Sequence, residues 1–218
     1  MNRRHIVMCL ALIAAVFALT WFYYPQLPAQ VPTHWGPDGR VNAYGPRYVV
    51  FVYGPGLMLA LLGLLSVLPT ISPHRYGVER FGPTYSYLMV VVIAMLGYVE
   101  LAVLWASLGH PIDMARVILG GCGVFFALIG NVMGKVRRNF WVGIRTPWTL
   151  ADERVWYATH RLAGKTIVLA ALVCLAMVAA DVQGWVTTLL LGAGVAIPAI
   201  YSFFCYQRIV RVGGELHR

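Results

Sequence analysis

The sequence predicts an all-α fold: a polytopic membrane protein with a six-helix transmembrane bundle, an ordered external Pro/Gly-rich loop and an internal polar loop and helix. Of its 218 residues, 60% are hydrophobic and only 11% are charged. A soluble domain typically carries about 25% charged residues, so a bilayer suits this chain better than water does. Six stretches approach the roughly 20 apolar residues that a spanning helix needs. They lie at about 6–24, 48–71, 85–109, 114–134, 166–183 and 185–206.

The first apolar stretch resembles a cleaved signal peptide in position only. It is long and ends in the aromatic residues Trp21, Phe22 and Tyr23, and no small-x-small cleavage site precedes Pro25. We therefore expect it to remain in the protein as the first membrane span.

The distribution of basic residues predicts the orientation in the membrane. Of the 17 lysines and arginines, only Arg40, Arg47 and Arg116 fall on the side opposite the N-terminus when six spans are drawn. Lys and Arg concentrate in cytoplasmic loops. The sequence therefore predicts a multi-pass protein of the bacterial inner membrane with both termini cytoplasmic. The net charge of +9 then favours membrane lipids, not nucleic acid, as partners.

The four cysteines, Cys9, Cys122, Cys174 and Cys205, all lie inside predicted spans, and none forms a C-x-x-C pair. They are typical of small buried hydrophobic residues. We expect neither a metal nor a cofactor. Since no long linker interrupts the chain, residues 1–218 are expected to form one membrane domain.

Prolines and glycines dominate the segment between the first two spans, which predicts an ordered, turn-rich loop. Four of its polar residues are candidates: His34, Trp35, Asp38 and Arg40. We favour anchoring of the loop at the membrane surface, with Asp38 capping the GPDG turn. Ligand binding by His34, Trp35 and Arg40 is the alternative. One histidine and one acid fall short of the ligands that zinc needs.

The same loop carries the first resemblance to a known family. The stretch YPQLPAQVPTHWGPDGRVNAYGPR resembles a bacterial membrane-protein domain with the pattern LP-x-x-VP-x-HW-G-x-x-G. The similarity covers roughly residues 10–60, and the domain has no assigned chemistry.

Glu100 lies near the middle of the third span, and no span interior contains a Lys or Arg to pair with it. Because a charge there is costly, we expect a protonated carboxyl that faces the bundle and bonds a neighbour. The candidate partners are Tyr98, Ser107, Asn131, Thr187 and Ser202. A polar cavity or proton site and a structural hydrogen bond stand as equal interpretations.

Two further intramembrane features concern the packing and the shape of the helices. Asn131 lies between Gly130 and Gly134, a small-xxx-small step that favours close helix packing. Pro55, in the stretch YGPG, predicts a kink in the second span because proline removes a backbone donor.

The most polar stretch of the chain follows the fourth span. We expect Thr149 to cap a helix there, with Asp152, Trp156 and His160 on one face. One interpretation is a ligand site on the cytoplasmic face in which Arg145 binds an anion and His160 pairs with an acid. The proposed site comprises Asn139, Arg145, Thr146, Trp148, Asp152, Trp156 and His160. The alternative is a capped, tryptophan-anchored elbow.

This stretch, GNVMGKVRRNFWVGIRTPWTLADERVWYATHRLAGK, closely resembles the signature of the SdpI family of bacterial membrane proteins. The similarity extends over a module at about 114–206 and includes GIRTPWTL, VW and TH. The resemblance implies immunity against a secreted toxic peptide and signalling through a cytoplasmic repressor drawn to the membrane. The family has no assigned catalytic residue.

We therefore expect a non-enzymatic membrane protein that recognises a peptide, lipid or protein and confers protection or signalling. A homo-oligomer is left open. The first alternative is a transporter or flippase with a polar cavity around Glu100. The second is a membrane enzyme acting on a lipid-linked or peptide substrate through His34 or His160.

Overall fold

Six helices dominate the computed structural model, which describes residues 3–36, 39–72 and 77–215. Each is long and apolar enough to cross a membrane, which confirms the predicted six-span, all-α architecture. They are Arg3–Gln26, Val49–Val67, Val78–Ser107, Met114–Met133, Glu153–Ala179 and Gly184–Ile209. Large apolar side chains such as Trp21 and Leu169 remain about two-thirds exposed, as expected for helices that face lipid.

The helices form two neighbouring groups. The helical segments are α1 (Arg3–Tyr23), α2 (Val49–Phe51), α3 (Leu57–Val67), α4 (Gly82–Ser107), α5 (Met114–Met133), α6 (Pro147–Ala151), α7 (Glu153–Ala179) and α8 (Gly184–Glu215). Helix α7 packs between α5 and α8, while α1 and the second span pack on α4, which also contacts α5. Close contact of α5 with α7 depends on Gly130, where an added Cβ would lie 2.9 Å from Val168. This agrees with the packing role expected for that glycine.

A β-hairpin lies between the first two spans, where the sequence predicted only an ordered loop. Strand β1 (Gln30–Trp35) pairs antiparallel with β2 (Val41–Pro46), and the register is irregular near His34. Val31 is fully buried in a small cluster with Val50 and Leu104. The hairpin is therefore packed onto the ends of the second and third spans.

The second span is broken, as Pro55 predicted. A π-helical segment, Val52–Gly56, separates α2 from α3, and Gly54 leaves helical geometry there with φ −84° and ψ −107°. Proline has no N–H to donate, so the α-helical hydrogen bonding is interrupted and the helix is wider over this one turn.

The predicted helix start at Thr149 is wrong. Thr146 caps α6, and its hydroxyl accepts a hydrogen bond from the Thr149 backbone N–H. Asp152, in an extended conformation, then caps α7. Pro147 explains the earlier start, because its fixed φ suits the first position of a helix.

Candidate functional site

A large cavity lies beneath the hairpin and has a volume of about 1100 Å³. We call it the hairpin pocket. Strand β1 covers it, and its walls come from the second span, α4, α5 and α8. Apolar side chains provide most of the wall, including Val103, Ile118 and Leu189. A ligand pocket is typically a concave, mostly apolar space with a few polar groups, and this cavity has that character.

Glu100 lines this pocket although only 3% of its surface is exposed. Its carboxyl group lies against the broken turn of the second span, where a Cβ added at Gly54 would come within 2.5 Å of Cδ of Glu100. Within the described parts of the chain, Oε1 of Glu100 has no hydrogen-bond partner. The absence of a side chain at Gly54 therefore makes the room for this carboxyl group.

Among the described residues, no neighbouring hydroxyl or amide forms the hydrogen bond that was expected for Glu100. Tyr98 donates instead to the Val117 carbonyl oxygen at 2.8 Å, and Ser107 donates to the Val103 carbonyl oxygen at 2.7 Å. Backbone carbonyls are one turn or one helix away and compete successfully for these hydroxyls. The two other hydroxyl candidates, Thr187 and Ser202, and the amide of Asn131 make no hydrogen bond to Glu100 within the described ranges.

Two of the four residues singled out between the first two spans line the pocket. His34 and Trp35 both line it, and Nδ1 of His34 lies 2.5 Å from Oδ1 of Asn42 on the partner strand. Arg40 lies on the hairpin but not in the pocket wall. Asp38 lies outside the described residues. The structure thus brings the hairpin and Glu100, which the sequence treated separately, to one cavity.

At the opposite end of the bundle, the residues of the polar segment 135–165 form hydrogen bonds mainly with one another. Asn139 is fully buried. Its Nδ2 donates to the carbonyl oxygens of Arg137 and Val142, each at 2.8 Å. Its Oδ1 accepts from the backbone N–H groups of Trp141 and Val142, each at 2.7 Å. One side chain therefore satisfies four backbone groups of the loop after α5.

Trp156 and His160 anchor the same loop from α7. Both are fully buried, and their rings stack with centroids 4.0 Å apart. Nε1 of Trp156 donates to the Val136 carbonyl oxygen at 2.9 Å. Nδ1 of His160 lies 2.8 Å from the Trp156 carbonyl oxygen, and Nε2 accepts from the Ile144 backbone N–H at 3.1 Å.

The expected pairing of His160 with an acid does not occur. Both of its ring nitrogens are occupied by backbone groups, and Asp152 turns instead to Arg154, whose Nη2 donates to Oδ2 at 2.8 Å. That side-chain hydrogen bond lowers the pKa of Asp152. The helix cap explains the difference, because a capping side chain must face the first backbone N–H groups of its own helix.

The remaining candidates in the polar segment lie nearer the surface. Thr146 hydrogen-bonds Oγ of Ser202 on α8 at 3.0 Å, and Trp148 packs edge-on against Phe203 of the same helix. Arg145 is exposed, and its Nη1 donates to the Phe140 carbonyl oxygen at 2.5 Å. Of the seven residues, Arg145 offers the most accessible donors, and ligand binding by this set stays a prediction.

Asn131 faces outwards from α5 and is exposed. It lines an open groove with Arg161, Lys165 and Tyr201. Close packing at this level is made by the adjacent Gly130, so the role of Asn131 itself is not in the helix contact.

Several pocket residues were missed by sequence reasoning. Tyr53, Gln183 and Thr188 supply polar groups to the wall, and Trp185 supplies a ring. The stretch YGPG was a usable signal, since an unwound turn in a membrane helix exposes backbone polarity that normally lines a cavity. The residues of α8 carried no such signal, because their position depends on how the last helix packs.

Comparison with known proteins agrees with the motifs. Residues 135–202 match the model of the SdpI/YfhL protein family, and residues 11–59 match that of a domain of unknown function (DUF1648). The Immunity protein SdpI of Bacillus subtilis (strain 168) is 27% identical over 164 residues, which cover 75% of this chain and 74% of that protein. No solved structure matches the chain significantly. The resemblance to the SdpI family is therefore confirmed, with the SdpI/YfhL match over residues 135–202 preceded by the domain of unknown function over residues 11–59.

Proposed function

We propose that this chain is a non-enzymatic immunity protein of the bacterial inner membrane that protects its cell by binding an apolar ligand in the hairpin pocket. The observation that carries the proposal is the pocket itself, about 1100 Å³ in volume with the buried, unpartnered Oε1 of Glu100 in its wall. The similarity to an immunity protein supports the biological role. The whole chain, 1–218, acts as one membrane domain in this proposal, with both termini cytoplasmic.

In this proposal the polar segment 135–165 mainly holds the inner ends of α5, α7 and α8 in place. This is supported by the side chains of Asn139, Trp156 and His160, whose polar atoms form hydrogen bonds with the protein's own backbone. Arg145, which is exposed, remains available to bind an anion or a cytoplasmic protein. Signalling through a repressor would use this end of the molecule, while protection would use the pocket.

A protection assay tests the proposal. The chain would be expressed in a Bacillus subtilis strain that lacks its own SdpI, and survival measured after exposure to the secreted toxic peptide that the resemblance implies. We expect survival to rise, and to fall again with Thr188→Trp, which fills the pocket without altering Glu100. Survival is normalised to the amount of protein in the membrane. If Thr188→Trp and the wild type then protect equally well, the pocket has no role in protection.

A transporter or flippase is the second candidate, and the broken turn at Gly54 beside Glu100 favours it. Unwound turns at midmembrane are common where transporters bind substrates. Transport predicts that purified protein in sealed vesicles moves the bound ligand across the bilayer. If the protein protects cells but moves no ligand across the bilayer, transport is excluded and ligand binding remains as the mechanism of protection.

A further inference from the structure

We propose that the hairpin pocket binds apolar cations, with the Glu100 carboxylate as the counter-charge. This inference rests on the proposed function, because it names the chemical class of ligand for the same pocket. Three observations support it: a buried acid with an unpartnered oxygen, the absence of lysine and arginine from the described wall, and aromatic rings around the cavity.

The first observation concerns the buried carboxyl group. Only 3% of the surface of Glu100 is exposed, and Oε1 has no hydrogen-bond partner in the described ranges. A buried polar group that lacks a partner is costly, whereas the same group paired with a donor is stabilised. An ammonium or guanidinium group in the pocket would supply both a donor and the opposite charge, and any proton on the carboxyl would pass to solvent.

The second observation is the charge of the wall. No lysine or arginine is among the described residues that line the pocket; the polar lining residues besides Glu100 include His34, Gln183 and Thr188. Apart from His34, the described wall offers no side chain that carries a positive charge, and a cationic ligand would supply one to Glu100. An anion would meet an uncompensated acid in an apolar space, which is unfavourable.

The third observation is the aromatic lining. The rings of Trp35, Tyr53 and Trp185 all contribute to the pocket wall. The face of an aromatic ring attracts a cation, and the attraction grows when water is excluded. Together with Ile118 and Leu189, these rings also offer apolar contact to the body of the ligand. The pocket thus has features that select for positive charge on an apolar molecule.

The test uses two probes of nearly the same shape and opposite charge, tetraphenylphosphonium and tetraphenylborate. Their binding to the purified full-length chain in neutral detergent would be measured by equilibrium dialysis, with empty micelles subtracted. We expect the cation to bind at least tenfold more tightly than the anion. Equal affinities, or tighter binding of the anion, would overturn the proposal.

Two variants assign the preference to one carboxyl group. Glu100→Gln keeps the size of the side chain and should reduce cation affinity at least tenfold, while anion affinity stays the same or rises. Glu79→Gln is the matched control, because Glu79 is exposed in the turn before α4 and does not line the pocket. A cation preference that survives in Glu100→Gln, or that Glu79→Gln removes equally, would refute the role of Glu100.

If Glu100→Gln does not fold, Thr188→Trp provides the second variant, since it narrows the pocket and leaves the acid in place. It should weaken cation binding, and unchanged binding would place the cation elsewhere and overturn the proposal. The protection assay separates this inference from the proposed function. Protection without cation preference would refute only the ligand class, whereas cation binding without protection would refute only the immunity role.

Discussion

Replacing Asn139 with alanine removes the group that satisfies the backbone of the loop after α5. The backbone N–H groups of Trp141 and Val142 would lose their acceptor, and the carbonyl oxygens of Arg137 and Val142 would lose a donor. The site is fully buried, so water has little access to replace these bonds. An orphaned buried donor costs about 1–3 kcal/mol, so the two N–H groups alone predict a loss of about 2–6 kcal/mol in the free energy of unfolding.

The measurement is thermal unfolding of the purified protein in detergent, with Asn131→Ala as the matched control. Asn131 is the same residue type and lies on the same side of the bundle, but it is exposed. Changes at such exposed positions usually stay within about 0.5 kcal/mol. Asn139→Ala should therefore lower the unfolding midpoint clearly, while Asn131→Ala should leave it near that of the wild type. If the two variants unfold at the same temperature, Asn139 does not hold this loop, and its donors are free to serve a ligand.

Three further predictions follow from the structure. Gly54→Ala should lower the thermal unfolding midpoint, because the added Cβ would overlap the Glu100 carboxyl group. Adding Glu100→Ala to the same chain should recover part of that loss of stability, and purely additive effects of the two substitutions on stability would contradict the contact. Arg145→Lys should impair protection about as badly as Arg145→Ala, because lysine lacks the planar fork that holds an anion in two bonds; wild-type protection by the lysine variant would remove the case for an anion site. Reporters inserted within 135–165 should indicate a cytoplasmic location and one within 28–46 an external one, and a reversed result would invert the proposed orientation.

The membrane spans were predictable because they depend on local composition. Each needs only about 20 apolar residues in a row, and one lipid-facing surface resembles another. The kink at Pro55 was equally local, since proline lacks the N–H whatever surrounds it. The β-hairpin was not predicted, because its strands contain Pro32, Gly45 and Pro46. These residues are typical of turns, and the extended conformation is stabilised by packing of the hairpin on Val50 and Leu104, which local sequence does not indicate.

The two candidate sites differed in how far the sequence could define them. The sequence showed that the polar segment contains a cluster of hydrogen-bond donors, but it did not show in which direction these donors point. Asn139 and His160 turn inwards because backbone N–H and carbonyl groups of the adjacent loop pass within hydrogen-bonding distance. The hairpin pocket was not predictable as one site, because Glu100 and His34 meet there only when β1 covers the broken second span.

The widened turn at Val52–Gly56 is the point at which the second span can change its length by one residue. A π-helical turn commonly accommodates one residue more than an α-helix would. Deleting one residue there would let the helix close while its far half keeps its orientation, so Met58 and Leu62 would stay buried against neighbouring helices. A one-residue deletion within α3 would instead rotate the residues after it by roughly 100°. Related chains that keep this fold should therefore gain or lose single residues within this turn but not within α3.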